Sequence, residues 1–508
     1  MADSKKIITN GFVVTGDAQN HAGKMSLLLI NDRIADIGKH TDILKHLYPD
    51  AEVIDAAGKV ILPGFIDAHF SGESFLLHSF TLGHPRDKWK RVPSIRKAME
   101  YVRETASLEE LSSMYRLAYF AALRSGITTI AEFGMDHLDF SFRAAFDSMQ
   151  RAELRGFLGL HNADQIEAAR LISQPSIKFA LVIENESDLT TYGLQSTIRT
   201  AKEHQWPIIL HLGQTPEGSE TIKRNFRTSI IQFYHEYRLF DLPVHIAHLV
   251  SFDDQDYDLL AKSKKPLIFS PNSILKKGTL IPPLGELSKH KIPFALGTDW
   301  GTPAPLENIR AYSSILQSLS LPAEKPFSLL ALHTRNAAQA LGIAAETGSI
   351  ETGKKADLVF FDARDFRLHS TLSEDNPEMS LRLLLEEAGS RDVCDVIIHG
   401  EFYIRERHIL TYAEEDLIRE SDQLLKTVHA RVAEKSVPPE NPPSKILSIN
   451  SFHQQPMADE DEEIPMEEGF RIVKKNLEKQ DGDVPPIKRH APELPNTTRR
   501  VFGDEEDI

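Results

Sequence analysis

The sequence predicts an α/β protein: an eight-stranded (β/α)8, TIM-like barrel inserted into a small composite β-sandwich domain, followed by a disordered C-terminal tail. Three observations support this prediction. Strand-like apolar runs alternate with helix-like stretches in the middle of the chain, strand-rich segments flank them, and the end of the chain is rich in proline and acidic residues. The eight runs are Val60–His69, Gly126–Phe133, Arg155–His161, Lys178–Ile183, Pro207–His211, Pro243–His248, Pro266–Ser270 and Ile292–Asp299.

The two flanking segments predict one small domain built from both ends of the folded chain. Residues 1–60 contain short strands such as Ser26–Ile30, and residues 346–412 contain others such as Val393–Gly400. Each segment alone is too thin to bury a core. We therefore expect them to pair as one sandwich, with residues 61–345 forming the barrel between them.

Helical patterns punctuate and follow the barrel. Ser107 and Glu110 form a capping-box pattern, which predicts a helix that continues to Arg124. Amphipathic spacing also predicts a separate C-terminal helix over residues 413–436. The amphipathic runs after the last barrel strand are Leu306–Leu319, Pro326–Leu341 and Glu414–Glu434.

Residues 437–508 are predicted to form a disordered acidic tail. Pro438–Pro443 has the composition of a linker, and Asp459–Glu463 is an acidic run. This composition buries too little apolar surface to offset the entropy of ordering the chain. A solvated tail without a specific role is one interpretation, and docking of a protein partner around Phe470–Val473 is the alternative.

The composition narrows the classes of partner and compartment. The chain of 508 residues is 41% hydrophobic and 26% charged, which is ordinary for a soluble protein. Its formal net charge of −16 argues against nucleic acid or an anionic membrane as partner. The single cysteine, Cys394, excludes an intramolecular disulfide and a thiolate metal cluster. Because no secretory signal or membrane-spanning run is evident, we expect a cytoplasmic protein.

Four candidate site residues stand at the ends of predicted barrel strands: His69, His211, His248 and Asp299. The carboxyl ends of barrel strands meet at one mouth, where catalytic groups lie. Imidazoles and a carboxylate around one cleft are typical ligands of a zinc-like ion in a hydrolase. The alternatives are hydrogen-bonded core histidines and, for Asp299, a helix cap. Weaker candidates near other strand ends are His161, Glu184 and Asp136.

Strand alternation places Asp67, His69 and Ser71 on one face of the first barrel strand. A His-X-His pair there would supply two metal ligands, but this chain has Ser71 in the second place, and a serine hydroxyl is a poor zinc ligand. Glu73 continues the same alternation. We expect it to reach a metal only if the strand extends that far.

Gln214 follows His211 by three residues. A glutamate in that place could carry a proton from water to the leaving group, whereas an amide can only donate and accept hydrogen bonds. His245 and His248 lie on opposite faces by strand alternation. We assign His248 to the mouth because it ends the strand, and we interpret His245 as structural.

Several motifs together resemble the amidohydrolase superfamily, and the most similar branch contains triazine hydrolases, guanine deaminase and adenosylhomocysteine-type deaminases. The resemblance extends over residues 6–412, with metal motifs that are degenerate. The motifs that carry it are Val53–His69, Gly126–Ile130, Ala247–His248, Ser270–Ser273, Leu296–Asp299, Asn336–Gly342 and Gly348–Val359.

The resemblance implies a hydrolase that acts on a non-peptide carbon–nitrogen bond of a small molecule, by deamination or by cyclic amide or amidine hydrolysis. It implies metal-activated water, one divalent metal that is Zn or Fe, and the capacity to form a homodimer. By matched position, His69, His211 and Asp299 would be metal ligands, and His248 a ligand or a substrate-polarising group. Asp299 would accept the proton of the attacking water.

Two departures from the family pattern give a second hypothesis. The His-X-His motif is His69-Phe70-Ser71 in this chain, and the His-X-X-Glu motif is His211-Leu212-Gly213-Gln214. One ligand and one proton carrier are therefore altered. The first hypothesis is an active but atypical enzyme in which Asp299, His248 and Gln214 are catalytic. The alternative is a catalytically inactive amidohydrolase-like binding or scaffold protein, with no metal bound.

Overall fold

A computed structural model of the chain describes residues 3–134, 140–172, 174–184, 186, 189–249 and 253–433. The predicted tail (437–508), the end of the predicted C-terminal helix (434–436) and the candidate Asp136 lie outside the described residues. Within the described ranges, no helix combines the length and the apolar character that crossing a bilayer requires.

The strands fall into three groups along the chain, as the sequence predicts. The first group contributes to the small domain, the second forms the barrel, and the third returns to the small domain. They are β1 (Lys5–Val14), β2 (Ala22–Ile30), β3 (Arg33–Gly38), β4 (Glu52–Asp55) and β5 (Lys59–Pro63); β6 (Phe65–Phe70), β7 (Ile127–Glu132), β8 (Arg155–Leu160), β9 (Ile177–Ile183), β10 (Ile208–Leu212), β11 (Val244–His248), β12 (Leu267–Phe269) and β13 (Phe294–Leu296); and β14 (Leu358–Asp362), β15 (Val393–Ile398), β16 (Glu401–Arg405) and β17 (His408–Ile409).

The α-helices lie mostly between and after the barrel strands. They are α1 (Thr41–Leu47), α2 (Ser74–Thr81), α3 (Pro93–Glu100), α4 (Leu108–Arg124), α5 (Ser141–Arg151), α6 (Ala163–Arg170), α7 (Thr191–His204), α8 (Pro216–Phe226), α9 (Ile230–Glu236), α10 (Tyr257–Ser263), α11 (Pro271–Lys277), α12 (Leu284–Lys289), α13 (Pro305–Ser318), α14 (Pro326–Leu332), α15 (Arg335–Ala340), α16 (Pro377–Glu387) and α17 (Glu414–Ala433).

The small domain is composite, which confirms the prediction. Its strands form one nine-stranded sheet in the order β17-β16-β15-β14-β5-β1-β2-β3, with β4 paired to β1. The antiparallel pairing of β14 with β5 joins the two ends of the folded chain. Ile8, Leu27 and Ile61 from the first segment share one core with Phe360 and Ile397 from the second. Neither segment could bury this core alone.

The barrel contains eight parallel strands that are neighbours in sequence order from β6 to β13. It closes where Phe70 and Asp299 form an isolated parallel bridge, supported by a 2.8 Å hydrogen bond from the Asp299 N–H to the His69 carbonyl. Asp299 therefore sits at the seam of the barrel, beside the end of β6. The predicted barrel fold is confirmed.

The predicted run Val60–His69 is not one barrel strand. It divides into β5, which belongs to the small sheet, and β6, which opens the barrel. Gly64 separates them, and a Cβ atom there would lie only 2.3 Å from Thr128 Oγ1. The prediction failed because both strands are buried, so the apolar run continues across a change of sheet.

The predicted helices are present with one exception. At the start of α4, the Ser107 hydroxyl accepts from the Glu110 N–H and the Glu110 carboxylate accepts from the Ser107 N–H, which completes the predicted capping box. The run Pro326–Leu341 forms two helices, α14 and α15, instead of one. The break occurs where the buried His333 ring donates to the Ile66 carbonyl (3.0 Å). Packing of this side chain against β6 overrides the helical pattern.

Candidate metal centre

Three histidines meet at the carboxyl-terminal end of the barrel; we call His69, His211 and His248 the histidine centre. They lie at the ends of β6, β10 and β11, and each offers a ring nitrogen such that these atoms all lie within 4.8 Å of one another. The ring centroids are 4.5–5.3 Å apart. The consecutive strands β10 and β11 and the distant strand β6 therefore bring the predicted residues together.

The ring nitrogens of the histidine centre include atoms that no other group satisfies. Among the described residues, His69 Nε2 and both ring nitrogens of His211 are buried and have no hydrogen-bond partner. Phe133 stacks on the His211 ring, with centroids 4.1 Å apart and planes inclined by 10°. Buried polar atoms normally find partners, because leaving them unsatisfied costs about 1–3 kcal/mol each. These donor atoms fit a divalent metal ion.

Burial also sets the protonation state of these imidazoles. It lowers the pKa of His69 to about 4, against the opposing influence of Asp299. Burial, reinforced by the neighbouring imidazoles, holds the pKa values of His211 and His248 well below the ordinary value. All three rings are therefore neutral near pH 7, which is the form that binds a metal.

Asp299 lies beside the histidine centre, and its carboxylate forms an ion pair with Lys277. Its Oδ1 is 3.7 Å from His69 Nε2. Its Oδ2 accepts from Lys277 Nζ at 2.6 Å and from the Ser273 hydroxyl at 2.7 Å. Burial alone would raise the pKa of Asp299, but Lys277 and then His69 and His248 hold it well below its usual range. The carboxylate is ionised, and one of its two oxygens is engaged by Lys277 and Ser273.

Asp67 positions the turn that carries Asp299. Its carboxylate accepts from the Thr298 N–H at 2.9 Å and from the Thr298 hydroxyl at 2.5 Å, while the His69 N–H lies 3.2 Å away. Asp299 itself has a left-handed φ of 48°. Burial raises the pKa of Asp67 to about 7, although these hydrogen bonds oppose the shift. The side chain that the sequence places on the His69 face thus links both edges of the barrel seam.

Gln214 contacts the histidine centre through His248. Its Nε2 lies 3.3 Å from His248 Nε2. The preceding Gly213 N–H donates to the buried Glu186 carboxylate at 2.6 Å, which fixes the loop after β10. His248 has a φ of +78°, a strained backbone conformation for a side chain of this kind, and such strain clusters at functional sites.

Ser71 and Glu73 do not continue the predicted strand alternation, because β6 ends at Phe70. The Gly72 N–H donates to the buried Glu132 carboxylate at 3.0 Å, and the chain turns there. Glu73 directly precedes α2 without a side-chain capping hydrogen bond, and its carboxylate forms a 2.7 Å ion pair with Arg103. Within the part of the chain that the structure describes, Glu73 does not belong to the group of mutually close ligand atoms.

The weaker candidates lie around the centre and have other contacts. His161 Nε2 donates to the Phe133 carbonyl at 2.8 Å, which orients the residue that stacks on His211. His245 is buried with its ring edge against Phe157, 4.8 Å between centroids. Its ring nitrogens also lack hydrogen-bond partners among the described residues, but they do not belong to the group of mutually close ligand atoms, so we keep the structural interpretation. Glu184 directly follows β9 and lies near Arg103. Its charge adds to the stronger effect of Glu73 in raising the pKa of Arg103, which burial opposes.

Sequence reasoning missed Lys277 and Ser273. Both lie on α11, four residues apart, so they face the same side of that helix. Ser273 belongs to the family-like motif Ser270–Ser273, and the four-residue spacing from Ser273 was the signal that could have identified Lys277. A lysine so close to a barrel mouth would ordinarily be assigned to the surface.

Comparison with known proteins identifies the family. The amidohydrolase family profile matches residues 60–402. The chain is 25% identical over 444 residues to the 5-methylthioadenosine/S-adenosylhomocysteine deaminase of Caldicellulosiruptor saccharolyticus, covering 84% of this chain and 99% of the relative. It is 26% identical over 445 residues to the protein of the same name from Pyrococcus furiosus, covering 83% and 100%.

Solved structures show the same fold. An adenosine deaminase from Xanthomonas campestris with bound zinc has a TM-score of 0.73 at 18% identity, covering 84% of this chain and 99% of that one. Escherichia coli guanine deaminase has a TM-score of 0.66 at 19% identity, covering 80% and 100%. The named relatives are deaminases, which are hydrolases of carbon–nitrogen bonds. The profile match extends over most of the chain, and the chain therefore belongs to the amidohydrolase family.

Proposed function

We propose that this chain hydrolyses a non-peptide carbon–nitrogen bond of a small molecule and that His69, His211 and His248 hold one divalent metal ion, Zn or Fe. The observation that carries the proposal is the set of buried, neutral imidazoles with unpartnered nitrogens at the carboxyl end of the barrel. Membership in the amidohydrolase family supports the same reaction class.

The residues around the centre suggest a division of labour. A divalent ion there would supply a Lewis acid that polarises the reacting groups. Asp299 is an ionised carboxylate next to His69 and accepts the proton of the attacking water. His248 polarises the substrate, and Gln214, 3.3 Å from it, orients that ring by hydrogen bonding. Because Gln214 cannot carry a proton and Asp299 is a weak base, we expect slow turnover.

Deamination of an aminated heterocycle is the reaction that the relatives favour. Two relatives that align with this chain over nearly their whole length are named 5-methylthioadenosine/S-adenosylhomocysteine deaminases. Structures of the same fold include an adenosine deaminase and a guanine deaminase. Hydrolysis of a cyclic amide or amidine is the other reaction that this site chemistry permits.

Ammonia release tests the proposal. Zinc- or iron-loaded protein is incubated with aminated purines, their nucleosides, aminopyrimidines and cyclic amidines, and the released ammonia is measured. For cyclic amides, ring opening is measured by the change in absorbance. We expect one class to react, and we expect a chelator and His211→Ala each to abolish the reaction. His245→Ala, which also removes a buried imidazole but one near the start of β11, should retain it. Metal-loaded protein that converts none of these compounds would contradict the proposal.

A catalytically inactive binding or scaffold protein is the second candidate. It is favoured by Gln214, which replaces a proton carrier, and by the ion pair of Asp299 with Lys277. This candidate predicts saturable binding of one of the same compounds, measured by calorimetry, without release of ammonia in single-turnover conditions.

A further inference from the structure

Lys277 places an ammonium group against Asp299, the carboxylate beside the histidine centre. Its side chain is only 6% exposed, and its Nζ lies 2.6 Å from Asp299 Oδ2. The same nitrogen lies 5.8 Å from the centroid of the Trp300 ring. Trp300 in turn packs on Trp89 with centroids 4.9 Å apart. The ammonium is thus enclosed between an aromatic wall and the carboxylate.

The backbone directs this lysine inward. Lys277 is the last residue of α11, and Gly278 ends the helix with a left-handed φ of 60°. Ser273, one turn earlier on the same helix, holds the same Asp299 oxygen. Two side chains of α11 therefore engage one carboxylate oxygen.

A buried charge of either sign requires a counter-charge, because removing an ion from water is strongly unfavourable. Lys277 and Asp299 satisfy this requirement for each other. A divalent metal between His69 and Asp299 would neutralise the same carboxylate. The metal and the lysine therefore compete for one partner.

We propose that the ion pair with Lys277 prevents Asp299 from acting as a metal ligand. The native centre then binds its ion through the three histidines alone, and more weakly than it would without the lysine. This inference rests on the proposed metal centre. It concerns the residues of this chain, not the identity of the substrate.

Zinc affinity of the whole protein tests the inference. Dissociation constants are measured by competition with a chromophoric chelator for the native protein, Lys277→Met and Lys276→Met. Lys276 is adjacent on α11 and gives the same change of net charge. We expect Lys277→Met to bind zinc about tenfold or more tightly, the scale of effects that neighbouring groups have on metal sites, and Lys276→Met to match the native protein.

A double-mutant cycle separates competition from simple charge repulsion. If the gain in Lys277→Met comes from a freed carboxylate, adding Asp299→Asn removes it and returns the affinity to about the native value. A gain that survives Asp299→Asn, or no gain in Lys277→Met, overturns the inference.

The outcomes distinguish this inference from the proposed function. Native protein that binds zinc no more weakly than Lys277→Met would refute the role of Lys277 and leave the metal centre intact. Zinc binding by Lys277→Met alone would support the role of Lys277 and contradict a native metal enzyme. Absence of binding by every variant would refute both. Circular dichroism of the metal-free variants checks that each of them is folded.

Asp299→Asn in the native background provides a second measurement of zinc affinity. A large loss of affinity in this variant would also overturn the inference.

Discussion

Two buried polar clusters lie at opposite ends of the barrel strands, and they differ in how their polar atoms are satisfied. The junction cluster, Arg155, Asp357 and His399, joins the start of β8 to the small domain. Arg155 Nη2 lies 3.1 Å from Asp357 Oδ2 and 2.9 Å from His399 Nδ1. The His399 N–H and the Thr347 hydroxyl also donate to Asp357, at 3.0 and 3.2 Å.

The polar atoms of the histidine centre are not all satisfied in this way. Its imidazoles are as deeply buried, yet His69 and His211 retain ring nitrogens without hydrogen-bond partners among the described residues. A satisfied cluster stabilises the fold by its own bonds, whereas several mutually close ring nitrogens without partners are available to an ion from outside the chain. The contrast supports the proposed binding role of the histidine centre, and it favours a structural role for the junction cluster.

The largest expected effect concerns the junction cluster. Asp357→Ala removes the close, buried counter-charge of the Arg155 guanidinium and leaves only the half-exposed Glu346 at 3.9 Å. Removal of one partner of a buried pair costs about 3–5 kcal/mol. Urea unfolding should show this loss. Asp365→Ala, at an exposed pair with Arg367, is the control and should change stability by less than about 1 kcal/mol. Equal effects at the two sites would refute the structural role of the cluster.

The next effect concerns the histidine centre. Zinc at about one hundred times its dissociation constant should raise the free energy of unfolding by about 2.7 kcal/mol, because the ion binds only the folded chain. His211→Ala should abolish this gain. Asp357→Ala, although less stable, should keep it if it remains folded. A gain that persists in His211→Ala would place the zinc elsewhere.

A third prediction concerns Gln214, which contacts the histidine centre but cannot carry a proton. Gln214→Glu should raise kcat for the substrate found in the ammonia screen by about tenfold or more, because general acid–base catalysis contributes at least that much. KM should change less than kcat. An unchanged kcat would show that proton transfer does not limit turnover.

The last prediction concerns the pH dependence of stability and a satisfied carboxylate within the mouth. Burial raises the pKa of Glu132 to about 8, although the N–H groups of Gly134 and Gly72 oppose the shift. Since this pKa lies above that of the unfolded chain, the stability contributed by the protonated group is present below about pH 4 and is lost as the pH rises through about 8. The free energy of unfolding should therefore fall between these limits.

Glu132→Gln should flatten that decline by about 1 kcal/mol or more, measured by urea unfolding at several pH values. Glu100→Gln, at an exposed pair with Arg96, controls for the change of charge. If both variants follow the native pH profile, Glu132 does not titrate as its burial implies.

The sequence predicted what alternation and strand order determine. His69, His211 and His248 were found because parallel strands must end at one mouth, whatever their separation along the chain. The break at Gly64 was missed because burial in two different sheets leaves one unbroken apolar run. The Lys277–Asp299 pair and the Glu73–Arg103 pair were missed because they depend on the turns after β12 and β6, which periodicity does not describe.

Equilibrium dialysis of the full chain against zinc, with metal content measured by mass spectrometry, determines whether the histidine centre holds a metal ion. We expect about one equivalent of zinc in the native protein and less than about a tenth in His211→Ala, because loss of a ligand from a small donor set removes most of the affinity. A native protein that retains less than about a tenth of an equivalent, or a His211→Ala variant that retains a full one, would contradict it.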